Sequence, residues 1–133
     1  MAHLFVYGTL RKTFSAYSLV EDYFSFVCNA QTKGKLYDEG SFPAAVSTEE
    51  DVFIQVELHQ IKNEGHFEEA FGKLDEYEEV NEGLFRRELT IVFAGNNLVT
   101  SWIYWYNKRV ENLVVIESGD AVEYYNNQKN KVK

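Results

Sequence analysis

The chain has 133 residues, of which 45% are hydrophobic and 16% aromatic, and its formal net charge is −8. This length fits one domain with its own core, and the apolar fraction excludes a disordered chain. The excess of acidic residues argues against sequence-independent nucleic-acid binding, which requires lysine and arginine to neutralise phosphates. Because no apolar run approaches the ~20 residues that span a bilayer, we expect no membrane partner.

The chain begins with a short apolar strand, HLFVY (His3–Tyr7). A strand at this position, followed at once by polar residues, is not typical of a signal peptide. Cys28 is the only cysteine in the sequence and excludes an internal disulfide. Together these features favour a cytoplasmic protein.

The loop after this strand consists of Gly8, Thr9, Leu10 and Arg11. Gly8 permits backbone conformations that other residues resist, as an ordinary turn also requires. Alternatively, successive backbone N–H groups after a strand form an anion-binding nest, which Arg11 would assist. The loop by itself does not decide between these two interpretations.

The rest of the pattern predicts strands that outnumber helices and are mostly joined by short turns. In order, the predicted elements are a short helix (Ala16–Phe24), a strand (Phe26–Tyr37), a loop (Asp38–Val46), an alternating half-buried strand (Val52–Ile61), an amphipathic helix (His66–Glu79), and two strands (Leu84–Phe93 and Leu98–Tyr106) joined by a four-residue turn (Ala94–Asn97). This order indicates an α+β fold with a largely antiparallel, barrel-like sheet. We assign one domain to residues 1–125 and a polar tail, expected to be frayed, to residues 126–133.

One carboxylate continues the apolar stripe of the amphipathic helix. Phe67, Ala70, Phe71 and Leu74 recur at helical spacing, and Glu78 is the next position on the same face. A carboxylate that faces an apolar core has a raised pKa, which suits a proton acceptor near neutral pH. The alternative is that the helix ends near Tyr77 and leaves Glu78 in solvent.

Other candidate sites in the sequence are weaker. His59 and His66 lie on different predicted elements without a cysteine pair, which argues against a zinc site. Cys28 lies within a β pattern, where a cysteine is more often a core residue than a nucleophile. The sequence also has no G-x-G-x-x-G segment and no Walker-type loop, which argues against a dinucleotide-binding or P-loop nucleotide site.

Five stretches of the sequence, in order along the chain, carry a resemblance to a known family. They are FVYGTLR (Phe5–Arg11), GKLYDEGSFPAAV (Gly34–Val46), LDEYEE (Leu74–Glu79), LFRREL (Leu84–Leu89) and SWIYWY (Ser101–Tyr106). Together they resemble the γ-glutamylcyclotransferase-like superfamily, which includes γ-glutamylamine cyclotransferase and AIG2-like proteins. The resemblance implies a compact mixed, largely antiparallel β-barrel flanked by helices. It also implies a fixed role for Glu78, the residue that the helical periodicity singles out independently.

The activity implied by the resemblance is that of a γ-glutamyl cyclotransferase, which binds a small γ-glutamyl compound and needs no cofactor. In such enzymes the α-amine of the substrate attacks its own γ-carbonyl carbon, and 5-oxoproline and a free amine are formed. Glu78 would serve as the general acid and base. The implied substrate-binding residues are Tyr7, Gly8, Thr9, Leu10, Arg11, Phe85 and Arg87.

Two departures from the family pattern leave the substrate open. Glu79 stands where many relatives have glycine, and Phe85 stands where many have tyrosine. Two other functions also stay open: a non-catalytic module on the same fold that holds a small acidic ligand, and an interaction protein that uses its aromatic hairpin. The sequence does not indicate an oligomeric state.

Acidic residues are common in the two stretches that we expect at the exit of the substrate pocket. They are Asp38, Glu39, Glu79 and Glu82. Negative potential at the exit would favour a cationic leaving group over the carboxylate-bearing tail of glutathione. The sequence therefore favours γ-glutamyl-amine-type substrates.

Overall fold

The central feature of the fold is a seven-stranded sheet, seen in a computed structural model that describes residues 1–7 and 17–131. The strands are β1 (His3–Val6), β2 (Phe24–Asp38), β3 (Pro43–Ser47), β4 (Phe53–Ile61), β5 (Phe85–Ala94), β6 (Asn97–Tyr106) and β7 (Val114–Val115). The helices are α1 (Ser18–Glu21), α2 (Phe67–Tyr77) and α3 (Ala121–Lys131), and a 3-10 turn at Glu64–His66 precedes α2.

Five of the strands close into a barrel in the order β2–β4–β1–β6–β5, and β5 pairs back to β2 between Gln31 and Phe93. β1 and β6 are parallel, with Leu4 opposite Trp102, and the other pairs are antiparallel. β3 and β7 extend the sheet along the second half of β2. The predicted α+β class, with a mixed and largely antiparallel barrel flanked by helices, is confirmed.

The strands bury residues on both of their faces. In β1, Phe5 belongs to one buried cluster and Leu4 and Val6 to the other, and β6 divides in the same way between Trp105 and Tyr104. Because successive residues of a strand point to opposite sides, the barrel wall separates the two clusters. The second cluster includes the buried residues of α2, so this helix packs against the outside of the wall.

Three local predictions differ from the structure. The predicted loop at residues 38–46 contains β3, because Pro43 begins an edge strand, a position where its missing N–H is tolerated. The hairpin between β5 and β6 turns on two residues, not four, with Gly95 in a positive-φ conformation as a tight hairpin requires. The strand predicted as half-buried, β4, is buried on both faces from Val56 to His59, because β1 and β2 flank it and the aromatic rings of Tyr17 and Phe26 lie near His59.

The C-terminal segment is helical in the structure. α3 runs from Ala121 to Lys131 and so continues through most of the stretch assigned as a polar tail. Ala121, its first residue, is buried in the cluster that contains Phe5. Among the described residues, no helix combines the length and the hydropathy needed to cross a bilayer.

Candidate active site

Glu78 is held by the last turn of α2. The helix ends at Tyr77, as one of the two sequence interpretations expected, but the Glu78 N–H still donates to the Leu74 carbonyl at 2.9 Å. Glu78 therefore keeps the helical register of the buried Leu74, and its side chain lines a cavity instead of standing in open solvent. The helical-phase argument placed Glu78 on the face of Leu74, and it has this position even though the helix stops one residue earlier.

A cavity of about 280 Å³ lies where the end of β1 meets the end of α2. Its walls come from β1, from the loop between β2 and β3, from the end of α2, and from β5 and β6. The lining residues are Phe5, Val6, Tyr7, Ser41, Phe42, Pro43, Tyr77, Glu78, Glu79, Leu84, Phe85 and Tyr104. The barrel thus brings Tyr7 and Glu78, which are distant in sequence, into one site.

The carboxyl group of Glu78 is desolvated in this cavity. Burial raises its pKa from the ordinary 4.5 to about 8. Burial is the only cause of this shift among the described residues, and no described cation opposes it. A carboxyl with such a pKa exchanges a proton readily near neutral pH, which is what a general acid–base group requires.

Tyr7 forms part of the cavity wall and joins two strands. Its hydroxyl donates a 2.6 Å hydrogen bond to the backbone carbonyl of Tyr104, beyond the point where β1 and β6 pair. Burial, reinforced by the nearby Glu78, raises the pKa of Tyr7, so its hydroxyl stays protonated and remains a donor. The other residues predicted for this loop, Gly8, Thr9, Leu10 and Arg11, lie outside the described residues.

A polar cluster that the sequence did not reveal supports the end of α2. Asp75 accepts two hydrogen bonds from Arg87, at 2.9 and 3.3 Å, and a third from the Tyr104 hydroxyl at 2.7 Å. The Arg87 guanidinium also lies over the Trp102 ring, 4.6 Å from its centroid. These contacts fix α2 to β5 and β6 three residues before Glu78.

The two predicted substrate-binding residues of β5 have different positions. Phe85 lines the cavity and packs with Phe42 and Tyr106 in an aromatic wall. Arg87 does not line the cavity, because its side chain is turned toward Asp75. In this structure Arg87 contacts the helix that carries the candidate catalytic residue, not the space that a substrate would occupy.

A family model described as "Gamma-glutamyl cyclotransferase, AIG2-like" matches residues 4–124 of the sequence. The chain belongs to this family. The site residues described above, from β1 to β6, all fall within the matched range. The match ends one residue before Tyr125, near the start of α3.

Solved structures with the same fold include members of this family. YkqA from Bacillus subtilis is 27% identical with a TM-score of 0.77; the alignment covers 97% of this chain but only 42% of YkqA. An AIG2-like protein from Mus musculus is 20% identical with a TM-score of 0.71, and 88% of this chain and 86% of that one are covered. A structure named gamma-glutamyl cyclotransferase is 13% identical with a TM-score of 0.55, covering 86% of this chain and 69% of that one. Among curated proteins, none matches the sequence significantly.

No described cluster in this member of the γ-glutamyl cyclotransferase family resembles a metal site. Within residues 1–7 and 17–131, no three His, Cys, Asp or Glu side chains lie close enough together to hold a metal ion. His59 is buried on β4, where its Nε2 lies 3.1 Å from a carboxylate oxygen of Glu57, whereas His66 is exposed. The two histidines considered in the sequence therefore do not form a site together.

The departure at Glu79 has a conformational consequence. Glu79 has φ +53°, and it is the residue at which the chain leaves α2. The Val80 N–H bonds to the Asp75 carbonyl and the Glu79 N–H to the Glu76 carbonyl, which is the hydrogen-bond pattern of a Schellman motif. Glycine is the residue usually found at the left-handed position of this motif, because it has no Cβ to clash.

We expect Glu79→Gly to stabilise the protein by roughly 0.5–1 kcal/mol, because it relieves the left-handed strain and loses only part of that gain to backbone entropy. The matched control is Glu76→Gly, which places the same substitution inside the helix and should destabilise by about 1 kcal/mol. Urea unfolding midpoints at constant slope measure both changes. A loss of stability in Glu79→Gly would mean that the Glu79 side chain makes compensating contacts.

Proposed function

We propose that this protein is a γ-glutamyl cyclotransferase that converts a γ-glutamyl amide into 5-oxoproline and a free amine. The observation that carries the proposal is the desolvated carboxyl of Glu78, which faces the same cavity as Tyr7 at the end of β1. Membership in the γ-glutamyl cyclotransferase, AIG2-like family supports the same reaction class. The volume of the cavity, about 280 Å³, suits a small substrate.

The substrate's α-ammonium group is the natural partner of Glu78. With a pKa of about 8, Glu78 is largely protonated at pH 7 in the free protein. A cation placed beside a carboxyl favours the ionised form and lowers its pKa. Entry of the substrate would therefore release the Glu78 proton to solvent and leave a carboxylate, which then accepts a proton from the ammonium.

The reaction is an intramolecular acyl transfer. The freed α-amine nitrogen forms a bond to the γ-carbonyl carbon, and the amide bond to the leaving nitrogen breaks. Glu78 passes this first proton to the leaving nitrogen and then transfers the second proton, which the attacking nitrogen loses as the lactam forms. The product amine therefore leaves as an ammonium ion, the carboxylate is regenerated and no water is consumed. Since both reacting groups belong to one molecule, the main contribution of the protein is to hold the glutamyl chain in its folded, reactive conformation.

The tetrahedral intermediate carries an oxyanion that requires aligned hydrogen-bond donors. We assign this role, or the binding of the substrate α-carboxylate, to the backbone N–H groups of Gly8, Thr9 and Leu10. These residues directly follow Tyr7, which lines the cavity. Arg11 is proposed to assist in binding the same anionic groups.

Selectivity for the leaving amine depends on the acidic residues around the cavity. Glu79 is among the lining residues. Glu39 is partly buried near Tyr106, and the pKa of Tyr106 is raised mainly by its own burial and to a smaller extent by Glu39. Asp38 and Glu82 do not line the cavity. We therefore rest the expected preference for cationic leaving groups on Glu79 and Glu39, and propose γ-glutamyl amines, including γ-glutamyl-lysine, as the substrate class.

A substrate panel tests this proposal. We expect γ-glutamyl-lysine to be turned over faster than γ-glutamyl-alanine or glutathione, with 5-oxoproline measured by mass spectrometry and Glu78→Gln as the inactive control. A preference for glutathione would contradict the charge argument. If none of the three compounds yields 5-oxoproline but any of them raises the thermal stability of the protein, the result would instead indicate a binding module.

A further inference from the structure

The carboxylate of Asp38 is held by two tyrosines of α3. The Tyr124 hydroxyl donates to Asp38 Oδ2 at 2.7 Å, and the Tyr125 hydroxyl donates to Asp38 Oδ1 at 3.2 Å. The Gly40 N–H donates to the same Oδ1 at 2.8 Å. Burial of Tyr125 raises its pKa, and the nearby Asp38 carboxylate raises it further. The Tyr125 hydroxyl therefore stays a donor at neutral pH.

Asp38 is also the point from which one wall of the candidate active site starts. It is the last residue of β2, and the next four residues, 39–42, form what we call the wall loop. The Glu39 N–H donates to the Phe42 carbonyl at 3.1 Å and closes this loop on itself. Ser41 and Phe42 line the cavity, and Phe42 packs against Phe85.

The tyrosines are presented by a helix whose start is fixed. Asp120 accepts hydrogen bonds from the N–H groups of Val122 and Glu123, at 3.0 and 3.2 Å, and so caps α3. Just before it, the Gly119 carbonyl accepts a 2.8 Å hydrogen bond from Gln55 of β4. A Cβ at Gly119 would lie 2.2 Å from the Phe53 carbonyl oxygen, so the close approach to the barrel requires glycine here. These contacts fix the start of α3, the helix that carries both tyrosines, against the barrel.

From these contacts we propose that Tyr124 and Tyr125 are positioning residues for the wall loop, and that through Asp38 they set which leaving groups the cavity admits. The selectivity part of this inference rests on the function proposed above. Tyr124 is the last residue that the family model matches, and Tyr125 is the residue that follows it. Neither tyrosine is among the described residues that line the cavity with Glu78 and Tyr7.

The test compares Tyr124→Phe, Tyr125→Phe and the double variant with the full-length wild type. Phenylalanine keeps the ring and removes only the hydroxyl. The matched control is Tyr23→Phe, which removes a hydroxyl that accepts an exposed hydrogen bond from Lys73 instead of contacting Asp38. Two readouts are needed: hydrogen exchange of the Glu39 and Gly40 amides, and KM and kcat for γ-glutamyl-lysine and γ-glutamyl-alanine.

In the double variant we expect the two amides to exchange about tenfold faster, since hydrogen bonds to a charged acceptor are lost. We also expect the ratio of kcat/KM between the two substrates to change about fivefold, mostly through KM, with each kcat within about twofold of the wild type. Tyr23→Phe should leave both readouts unchanged.

Unchanged exchange in the double variant would overturn the inference, whatever the activity. Faster exchange with an unchanged substrate ratio would overturn the assignment of selectivity to these tyrosines. If the wild type forms no 5-oxoproline from any substrate, the proposed function fails, and the exchange readout still decides whether α3 positions the wall loop.

Discussion

Glu78→Gln is expected to reduce the rate of 5-oxoproline formation by about 10²- to 10⁴-fold, the range that general acid–base groups contribute. Glutamine has nearly the same shape as glutamate, so it keeps the cavity, but it cannot accept the α-ammonium proton. In the wild type, kcat/KM should rise with pH toward about 8, where Glu78 ionises in the free enzyme. Steady-state kinetics from pH 5.5 to 9 measure both effects.

The same substitution should make the protein more stable at high pH. The folded-state pKa of Glu78, about 8, lies above its ordinary value of 4.5, so the folded protein retains a proton that the unfolded chain has lost. Wild-type stability therefore falls as pH rises from 4.5 through 8, by an amount on the order of 4 kcal/mol. Glutamine does not ionise, so this decrease should be absent from Glu78→Gln.

The free energies of unfolding of the two proteins should therefore agree near pH 4.5 and separate progressively above it. An inactive variant with enhanced stability at pH 8 would show that the activity is lost through chemistry and not through unfolding. Two results would contradict the assignment: turnover close to wild type, or equal stability of the two proteins at every pH. The second result would mean that Glu78 is solvated in the folded protein.

The barrel could be predicted from the sequence because its strands carry local signals. Alternating or continuous apolar runs mark β2, β4, β5 and β6, and the predicted bounds of each strand agree with the structure to within about two residues. The sequence predicts a loop in place of β3 because Pro43 is a strand breaker, and no local pattern reveals that it begins an edge strand along β2. The sequence also has no local signal for the parallel pairing of β1 with β6, since this pairing joins residues 98 positions apart, Leu4 and Trp102.

The candidate catalytic residue could be predicted because a carboxylate at helical phase is itself a local pattern. The residues that support it could not. Asp75 is bonded to Arg87 and Tyr104, which lie on two separate strands. Such pairs depend on how β5 and β6 pack against α2, and a single sequence holds no periodicity that reports this. The assignment of Arg87 to substrate binding and its observed contact with Asp75 therefore make different, separable predictions.

Arg87→Ala should lower the free energy of unfolding by about 2–3 kcal/mol and reduce kcat by about 10- to 100-fold. Asp75, whose side chain is 29% exposed in the wild type, would lose the partner that donates two hydrogen bonds to it. Arg87 also packs on Trp102 and Phe71, so truncation removes apolar contact as well as charge. The last turn of α2 would loosen, and small displacements of Glu78 are costly to a reaction that depends on alignment.

The neighbouring Arg86 supplies the matched control. It pairs with Glu88 at 2.8 Å, but the two side chains are 39% and 49% exposed, so Arg86→Ala should change stability by less than about 0.5 kcal/mol. Arg87→Lys keeps the charge and loses the planar two-point contact, and it should fall between wild type and Arg87→Ala. Urea unfolding and steady-state kinetics on the folded protein measure all three variants.

Whether Arg87→Ala changes mainly kcat or mainly KM decides whether Arg87 positions Glu78 or binds the substrate. A residue that positions Glu78 should lower kcat and leave KM within about twofold, and its loss should be accompanied by lower stability. A residue that binds substrate should raise KM at nearly unchanged stability, because the partner it loses is the substrate and not Asp75. Since the Arg87 guanidinium is bonded to Asp75 and lies outside the cavity lining, we expect the first result. A large rise in KM with normal stability would return Arg87 to the substrate-binding residues and would require its side chain to leave Asp75 when substrate binds.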